Sequence, residues 1–409
     1  MIRSGTVLPA SLDQALHRCL ALAGRFGTIR LTRPNAPNVR EFVLELDDTF
    51  GSRQRWTLKK VAAGTELSIG RPPGIGRLAT FARWGSAMDR QLDRRLRLLP
   101  HVASLKIVVI GGGTGLYTTL LGLRDRTWSL TALVSGLPRA TIAVDPKDQL
   151  GSLPRDDASL CLVGLTPTLE ENVVLRALLS HRMESRDWRD AHFGSALLLA
   201  LEEIGGSRQA ALDTAGELLG IRGRVLLAMD GRGPHPALPR ERGREIADPP
   251  RGARDSLADA DLIVIAPGHL ELDLIPVLCC PDVIEAVRDS HALKVAVTKI
   301  MTAEGSDEVP LASQHVRPLA ELIGIPFDVA LTNSGPFSHG QVRAYAAAGA
   351  LPIQADTEAT LRYARRVLTE QLGAAGHLAR HDPEELGQCL VEIGAEHLLA
   401  TSEAQAQGA

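Results

Sequence analysis

Gly111, Gly112, Gly113 and Gly115, with Thr114 among them and Leu116 behind, directly follow the apolar run Ile107-Val108-Val109-Ile110. Glycines let a chain curl so that successive N–H groups face one point, and a helix beginning near Leu116 adds the positive end of its dipole. The chemistry this suits is the binding of an anion, above all a phosphate, with each contact worth about 0.3–2 kcal/mol. A dinucleotide fingerprint would need glycine at 116 and an acid about 20 positions further on. Position 116 is leucine, and the next strand ends at Val134-Ser135 with no acid. No Gly-Lys-Ser/Thr follows, so a Walker loop is excluded too. The alternative reading of the same glycines is a turn that merely permits close packing.

Carboxylates able to carry a divalent cation beside such a phosphate lie downstream, at Asp145, Asp148, Asp156 and Asp157. The last two are adjacent, so on a strand they face opposite ways, whereas in a loop both can reach one metal. His192, His269 and His339 are too dispersed for a metal cluster. The five cysteines, Cys19, Cys161, Cys279, Cys280 and Cys389, contain no CxxC pair, which leaves free thiols in a reducing compartment as the expectation. A net charge of −3 gives no overall pull toward nucleic acid. No apolar run of about 18 residues and no signal-peptide pattern is present, so a cytoplasmic protein is expected.

The elements that would position these residues change character along the chain. Residues 1–76 read as a small α+β module, with a helical pattern over Leu12–Leu22 and strands near Thr28–Leu31 and Phe42–Leu46. Residues 77–103 form a connector containing a basic amphipathic helix, in which Met88, Leu92, Leu96 and Leu99 make a stripe among arginines. Docking of that stripe on a neighbouring domain is favoured over contact with a membrane surface. From 104 to 400, short apolar runs alternate with helical stretches, the signature of a parallel sheet wrapped by helices. The expected strands are Ile107–Ile110, Leu130–Val134, Val225–Ala228, Leu262–Ile265, Val295–Val297 and Val329–Leu331. Helices are expected at Leu116–Arg124, Leu169–His181, Gly194–Ile204, Gln209–Leu219, Pro281–Ser290, His315–Leu322 and Glu358–Leu372. The segment 230–254, rich in Pro, Gly and Arg, reads as a long exposed loop, and the tail after Ala400 as frayed.

Six ordered stretches resemble the CofD-like family, which includes 2-phospho-L-lactate transferase and the bacterial gluconeogenesis factors that bind UDP-sugars. They are Lys106–Leu116, Ala191–Ser195, Glu217–Leu226, Ala260–Gly268, Met301-Thr302 and Arg380–Leu386. The resemblance implies an α/β fold with a doubly wound, Rossmann-like parallel sheet, and a homodimer. It also implies that Gly111 through Leu116 cradle a nucleotide diphosphate, with His192, Gly194 and Ser195 and the turn Pro267-Gly268-His269 close by. Arg222 and Arg224 would add positive charge near the phosphates, surface ion pairing being their alternative role.

The departures from that family narrow the chemistry. Where the family carries a DDGGSSG-like segment, this chain has Pro138–Val144, and a PGDIRN-like pattern falls on Arg155–Leu160 with only Asp157 retained. Glu271 stands where the family has an aromatic. A Mg²⁺ bound beside phosphates uses one or two carboxylates, which leaves Asp157 as the single candidate metal ligand and no assigned catalytic residue. The expectation is a gluconeogenesis-factor-like protein that binds a nucleotide or nucleotide-sugar, with a regulatory protein partner and ties to carbon metabolism and cell shape. A Mg²⁺-dependent 2-phospho-L-lactate transferase is the alternative.

Overall fold

Runs of β-branched and aliphatic residues form the strands, and those covered by helices on both faces carry almost no polar side chain. The computed structural model describes residues 3–8, 15, 19, 27–31, 39–46, 53–61, 64–70, 98, 101–102, 104–136, 147–148, 151–167, 173–184, 192–229, 251–305, 309–376 and 378–408. Two units are distinguished, Met1–Ser104 with Glu392–Ala409, and Leu105–Val391.

In the first unit, β1 (Arg3–Leu8), β2 (Gly27–Leu31), β3 (Val39–Leu46), β4 (Arg53–Val61) and β5 (Gly64–Gly70) make an antiparallel sheet in the order β1-β5-β4-β3-β2. Of the helical pattern expected at 12–22, Ala15 and Cys19 are described, both helical and buried. The stripe of Met88, Leu92, Leu96 and Leu99 lies outside the described residues; of the connector, Leu98, His101 and Val102 are described, all helical, with Leu98 buried.

The second unit starts with β6 (Lys106–Ile110), α1 (Gly113–Leu123) and β7 (Ser129–Val134), then a two-strand ladder of β8 (Lys147–Asp148) and β9 (Gly151–Ser152). Next come α2 (Asp157–Leu165), α3 (Val173–Leu179), α4 (Phe193–Gly205), α5 (Arg208–Leu219), β10 (Arg224–Leu227), α6 (Arg251–Ala258) and β11 (Leu262–Ile265). A π-helical turn at Leu270–Leu274 leads into α7 (Ile275–Leu278), α8 (Pro281–Asp289), β12 (Leu293–Val297), α9 (Ala312–Ile323) and β13 (Phe327–Asn333). The chain ends with α10 (His339–Ala347), α11 (Thr357–Thr360), β14 (Ala364–Glu370) and α12 (Pro383–Gly408).

All seven long strands of this unit pair in parallel in the order β10-β7-β6-β11-β12-β13-β14. The chain runs outward from β6 through β7 to β10, then returns to the other side of β6 as β11. The carboxyl ends of β6 and β11 therefore form the switch point at which ligands of doubly wound sheets bind. One apolar core includes Val108, Ile110, Ile263, Ile265, Val283, Val287, Val316 and Ala330.

Three expectations are corrected. Glu358–Leu372 is not a helix: α11 is a single turn, and Ala364–Glu370 pairs with Phe327–Asn333 as the edge strand β14. Arg365, Arg366, Thr369 and Glu370 are exposed there, so the apolar alternation of a half-buried strand is missing. The tail does not fray after Ala400, since α12 continues to Gly408. The Pro/Gly/Arg segment is described only from Arg251, where α6 begins and buries Ala253, while 230–250 lie outside the described residues.

Backbones of α1 and α12 touch where both have glycine. A methyl group on Gly122 would lie 2.1 Å from the Pro383 carbonyl oxygen, and one on Gly387 would lie 2.1 Å from the Gly122 carbonyl oxygen. Gly387→Ala is therefore expected to destabilise the protein by about 3 kcal/mol through forced separation of the two helices. An unchanged urea midpoint in this variant would contradict the contact.

Candidate functional site

The turn after β6 is shaped by two glycines in the left-handed region, Gly111 at φ +154° and Gly113 at φ +62°. The Gly111 N–H donates to the Leu133 carbonyl (3.2 Å), and the Leu116 N–H reaches the Gly112 carbonyl at 3.4 Å. The Gly113 N–H donates to Asp157 Oδ1 at 2.7 Å. The N–H groups of Thr114 and Gly115, next in the first turn of α1, have no partner among the described residues. No acidic side chain lies in that turn, so among the described residues the end of the helix dipole is met from outside by Asp157, and the amides of Thr114 and Gly115 have no acceptor there.

Gly115 also has a packing role. A Cβ there would fall 1.6 Å from the Pro267 carbonyl oxygen, and a Cβ on Gly111 would meet Ala266 Cβ at 3.1 Å. The turns following β6 and β11 thus lie against each other at the switch point. Gly111 and Gly113 shape the turn through their backbone, and close packing accounts for Gly115, which admits the neighbouring turn.

Two further helix starts are tied to the first by hydrogen bonds. Asp156 caps α2, accepting from the Ser159 N–H at 2.8 Å, and its second oxygen accepts from the Ser195 hydroxyl in the first turn of α4. His192 is the buried N-cap residue of α4, and the Phe193 N–H donates to the His181 carbonyl at 2.8 Å. At Gly194 a Cβ would lie 2.9 Å from the Leu179 carbonyl oxygen, so close packing explains that glycine. Asp156 and Asp157 are adjacent yet serve different helix starts because both sit where α2 begins.

On the other side of the switch point, Pro267-Gly268-His269 is closed by Asp273. Asp273 is buried, and its Oδ2 accepts from the His269 N–H at 2.8 Å. A side chain at Gly268 would collide with Asp273, its Cβ falling 2.9 Å from that residue's own Cβ. The π-helical turn that begins at Leu270 carries Asp273 back over the peptide it bonds; such widened turns frequently occur at functional sites. Sequence reading missed Asp273, because the pairing depends on a turn type with no signature in residue spacing.

Arg222 and Arg224 are not brought to this rim. Arg224 begins β10 and is paired with Thr131 near the start of β7, so both arginines lie at the amino ends of the strands. Arg222 instead forms an ion pair with Asp125, and its N–H donates to the Leu165 carbonyl at 2.9 Å. The buried Arg124 performs a structural task nearby, donating from Nη1 to the carbonyls of Gly164 and Thr166 at the end of α2, and burial pushes its pKa down. That geometry places cationic support on a helix C-terminus, where it complements the dipole.

Asp157 gives one oxygen to the Gly113 amide, and among the described residues no group of three or more His, Cys, Asp or Glu side chains could hold a metal ion. Asp145 lies outside the described residues, and Asp148 is in the β8–β9 ladder. All five cysteines are free, and no described helix is long and apolar enough to cross a membrane.

Comparison with known proteins agrees with this architecture. The family model described as "2-phospho-L-lactate transferase CofD" matches residues 107–234 and 235–372. A candidate gluconeogenesis factor from a Nostoc species is 30% identical over 360 residues, covering 81% of this chain and 78% of that protein. The gluconeogenesis factor of Bacillus subtilis is 28% identical, covering 70% of this chain and 98% of its own length. A crystal structure of a UPF0052 family member from Bacillus halodurans superposes with a TM-score of 0.60 at 24% identity, covering 71% of this chain and 99% of that one. The chain, with its seven-stranded parallel sheet and its glycine turn at the switch point, belongs to the CofD family.

Proposed function

We propose that this chain binds a nucleoside diphosphate sugar at the β6–β11 switch point and acts as a regulatory protein of the gluconeogenesis-factor type, without group transfer. The observation that carries this reading is the pair of amides at Thr114 and Gly115, which have no partner among the described residues and start a helix whose first turn holds no acid. Relatives named as gluconeogenesis factors support it. Ties to carbon metabolism and cell shape, a cytoplasmic location, a homodimeric state and a regulatory protein partner belong to the same reading. The transferase name of the family model favours one alternative, 2-phospho-L-lactate transfer with Mg²⁺ held in part by Asp157.

Calorimetric titration with UDP-N-acetylglucosamine is expected to show micromolar binding in the absence of Mg²⁺; folded protein that gives no heat with any nucleotide would overturn the reading. Asp157→Asn separates the alternatives. Asparagine keeps an oxygen for the Gly113 amide and removes a negative charge beside the phosphates, so binding should strengthen about fivefold. A transferase would instead lose Mg²⁺-dependent turnover in that variant.

A further inference from the structure

One strand beyond the glycine and Pro267 turns, the rim of the same sheet holds two buried polar atoms without partners. Thr298 directly follows β12, and its N–H donates to the Leu331 carbonyl at 3.0 Å, which fixes its backbone. His381 is placed against Gly373 by an isolated bridge, flanked by hydrogen bonds from Asp382 N–H to Leu372 O (2.7 Å) and Ala374 N–H to Arg380 O (2.8 Å). The imidazole of His381 bonds the Thr298 backbone, while its Nε2 and the Thr298 hydroxyl are both buried with no hydrogen-bond partner. The two residues are 7% and 2% exposed.

An N–H bonded to the Thr298 carbonyl fixes the tautomer, so Nε2 presents a lone pair and is an acceptor. Burial holds the ring neutral, with its pKa lowered to about 4. The hydroxyl of Thr298, the residue whose backbone the ring bonds, can both donate and accept. Leaving two such groups unpaired costs about 1–3 kcal/mol each, a cost that a matching ligand group removes. Ile300, Met301 and Ala379 form a small buried apolar cluster in the same two segments. Neighbouring strands lie about 5 Å apart, so the rim of β12 is about 5 Å from that of β11 and about 10 Å from that of β6.

We propose that Thr298 and His381 form a subsite for the uncharged sugar of the bound nucleotide, with one sugar hydroxyl donating to His381 Nε2 and accepting from the Thr298 hydroxyl. This rests on the diphosphate reading above and adds which part of the ligand is recognised, and by what.

The test is calorimetric titration of the full chain at pH 7.5 with UDP and with UDP-N-acetylglucosamine, for the unmodified protein and for Thr298→Val, Thr298→Ser and His381→Gln. The unmodified protein and Thr298→Ser should bind the sugar nucleotide about tenfold more tightly than UDP. Thr298→Val and His381→Gln should lose that difference while their affinity for UDP stays within about twofold of the unmodified protein's. Survival of the sugar increment in Thr298→Val, the nearly isosteric variant, would overturn the subsite and leave the pair holding a resident water. An unmodified protein that binds UDP with no gain from the sugar would overturn it also, with the diphosphate site intact. Absence of UDP binding in the unmodified protein would remove both readings together.

Discussion

Gly115→Ala is expected to abolish detectable nucleotide binding and to lower stability by about 3 kcal/mol or more. The methyl group would have to occupy a point 1.6 Å from the Pro267 carbonyl oxygen, where no side-chain rotation relieves the clash because both partners are backbone. Relief requires the turn after β11 to move away from the first turn of α1, and that movement pulls apart the two sides of the switch point. The amides of Thr114 and Gly115 would lose their fixed direction, and oriented amides are what an anion-binding turn supplies. Gly205→Ala is the matched control, because its Cβ would meet only Ala210 Cβ at an ordinary 3.5 Å. Urea unfolding and calorimetry of both variants check the expectation; near-normal affinity in Gly115→Ala would show that the two turns need not touch for binding.

Acid should weaken the fold through His381. Its pKa is lowered by burial to about 4, whereas an unfolded histidine titrates near 6.5. Between those values the unfolded chain takes up a proton that the folded chain refuses, so protons favour unfolding. Stability is accordingly complete above about pH 6.5 and falls progressively toward pH 4, by up to about 3 kcal/mol from this group alone. Urea midpoints at pH 7 and pH 4.5 measure the loss. In His381→Gln the difference between the two pH values should shrink by most of that amount, and an identical pH dependence in the variant would assign the acid sensitivity elsewhere. Carboxylates also titrate in this window, which is why the comparison is between two proteins at each pH.

Legibility in the sequence followed burial. Strands covered on both faces, such as Leu262–Ile265, are continuous apolar runs and could be read directly. The edge strand Ala364–Glu370 could not, since its register with β13 rests on backbone pairing while Arg365, Arg366, Thr369 and Glu370 look to water. At the site, the glycine turn was visible because left-handed backbone restricts residue type. The roles of Asp156 and Asp157 were hidden, because each depends on which of three helix starts its carboxyl group meets. Arg222 shows the converse: its proximity in sequence to family-like residues suggested a phosphate contact, but the direction of β10 puts it at the opposite end of the sheet. Asp273 and Thr298 carry no pattern at all, and only the turn geometry and the neighbouring strand give them a place.

The contact between Gly115 and Pro267 joins peptides from the early and late parts of the second unit. During synthesis, a nascent chain that has completed β6, α1 and β7 still lacks one wall of the cleft until β11 leaves the ribosome and pairs beside β6. Under the proposed function, a nucleotide therefore cannot serve as a template for the first half, because its site is complete only once β11 lies beside β6.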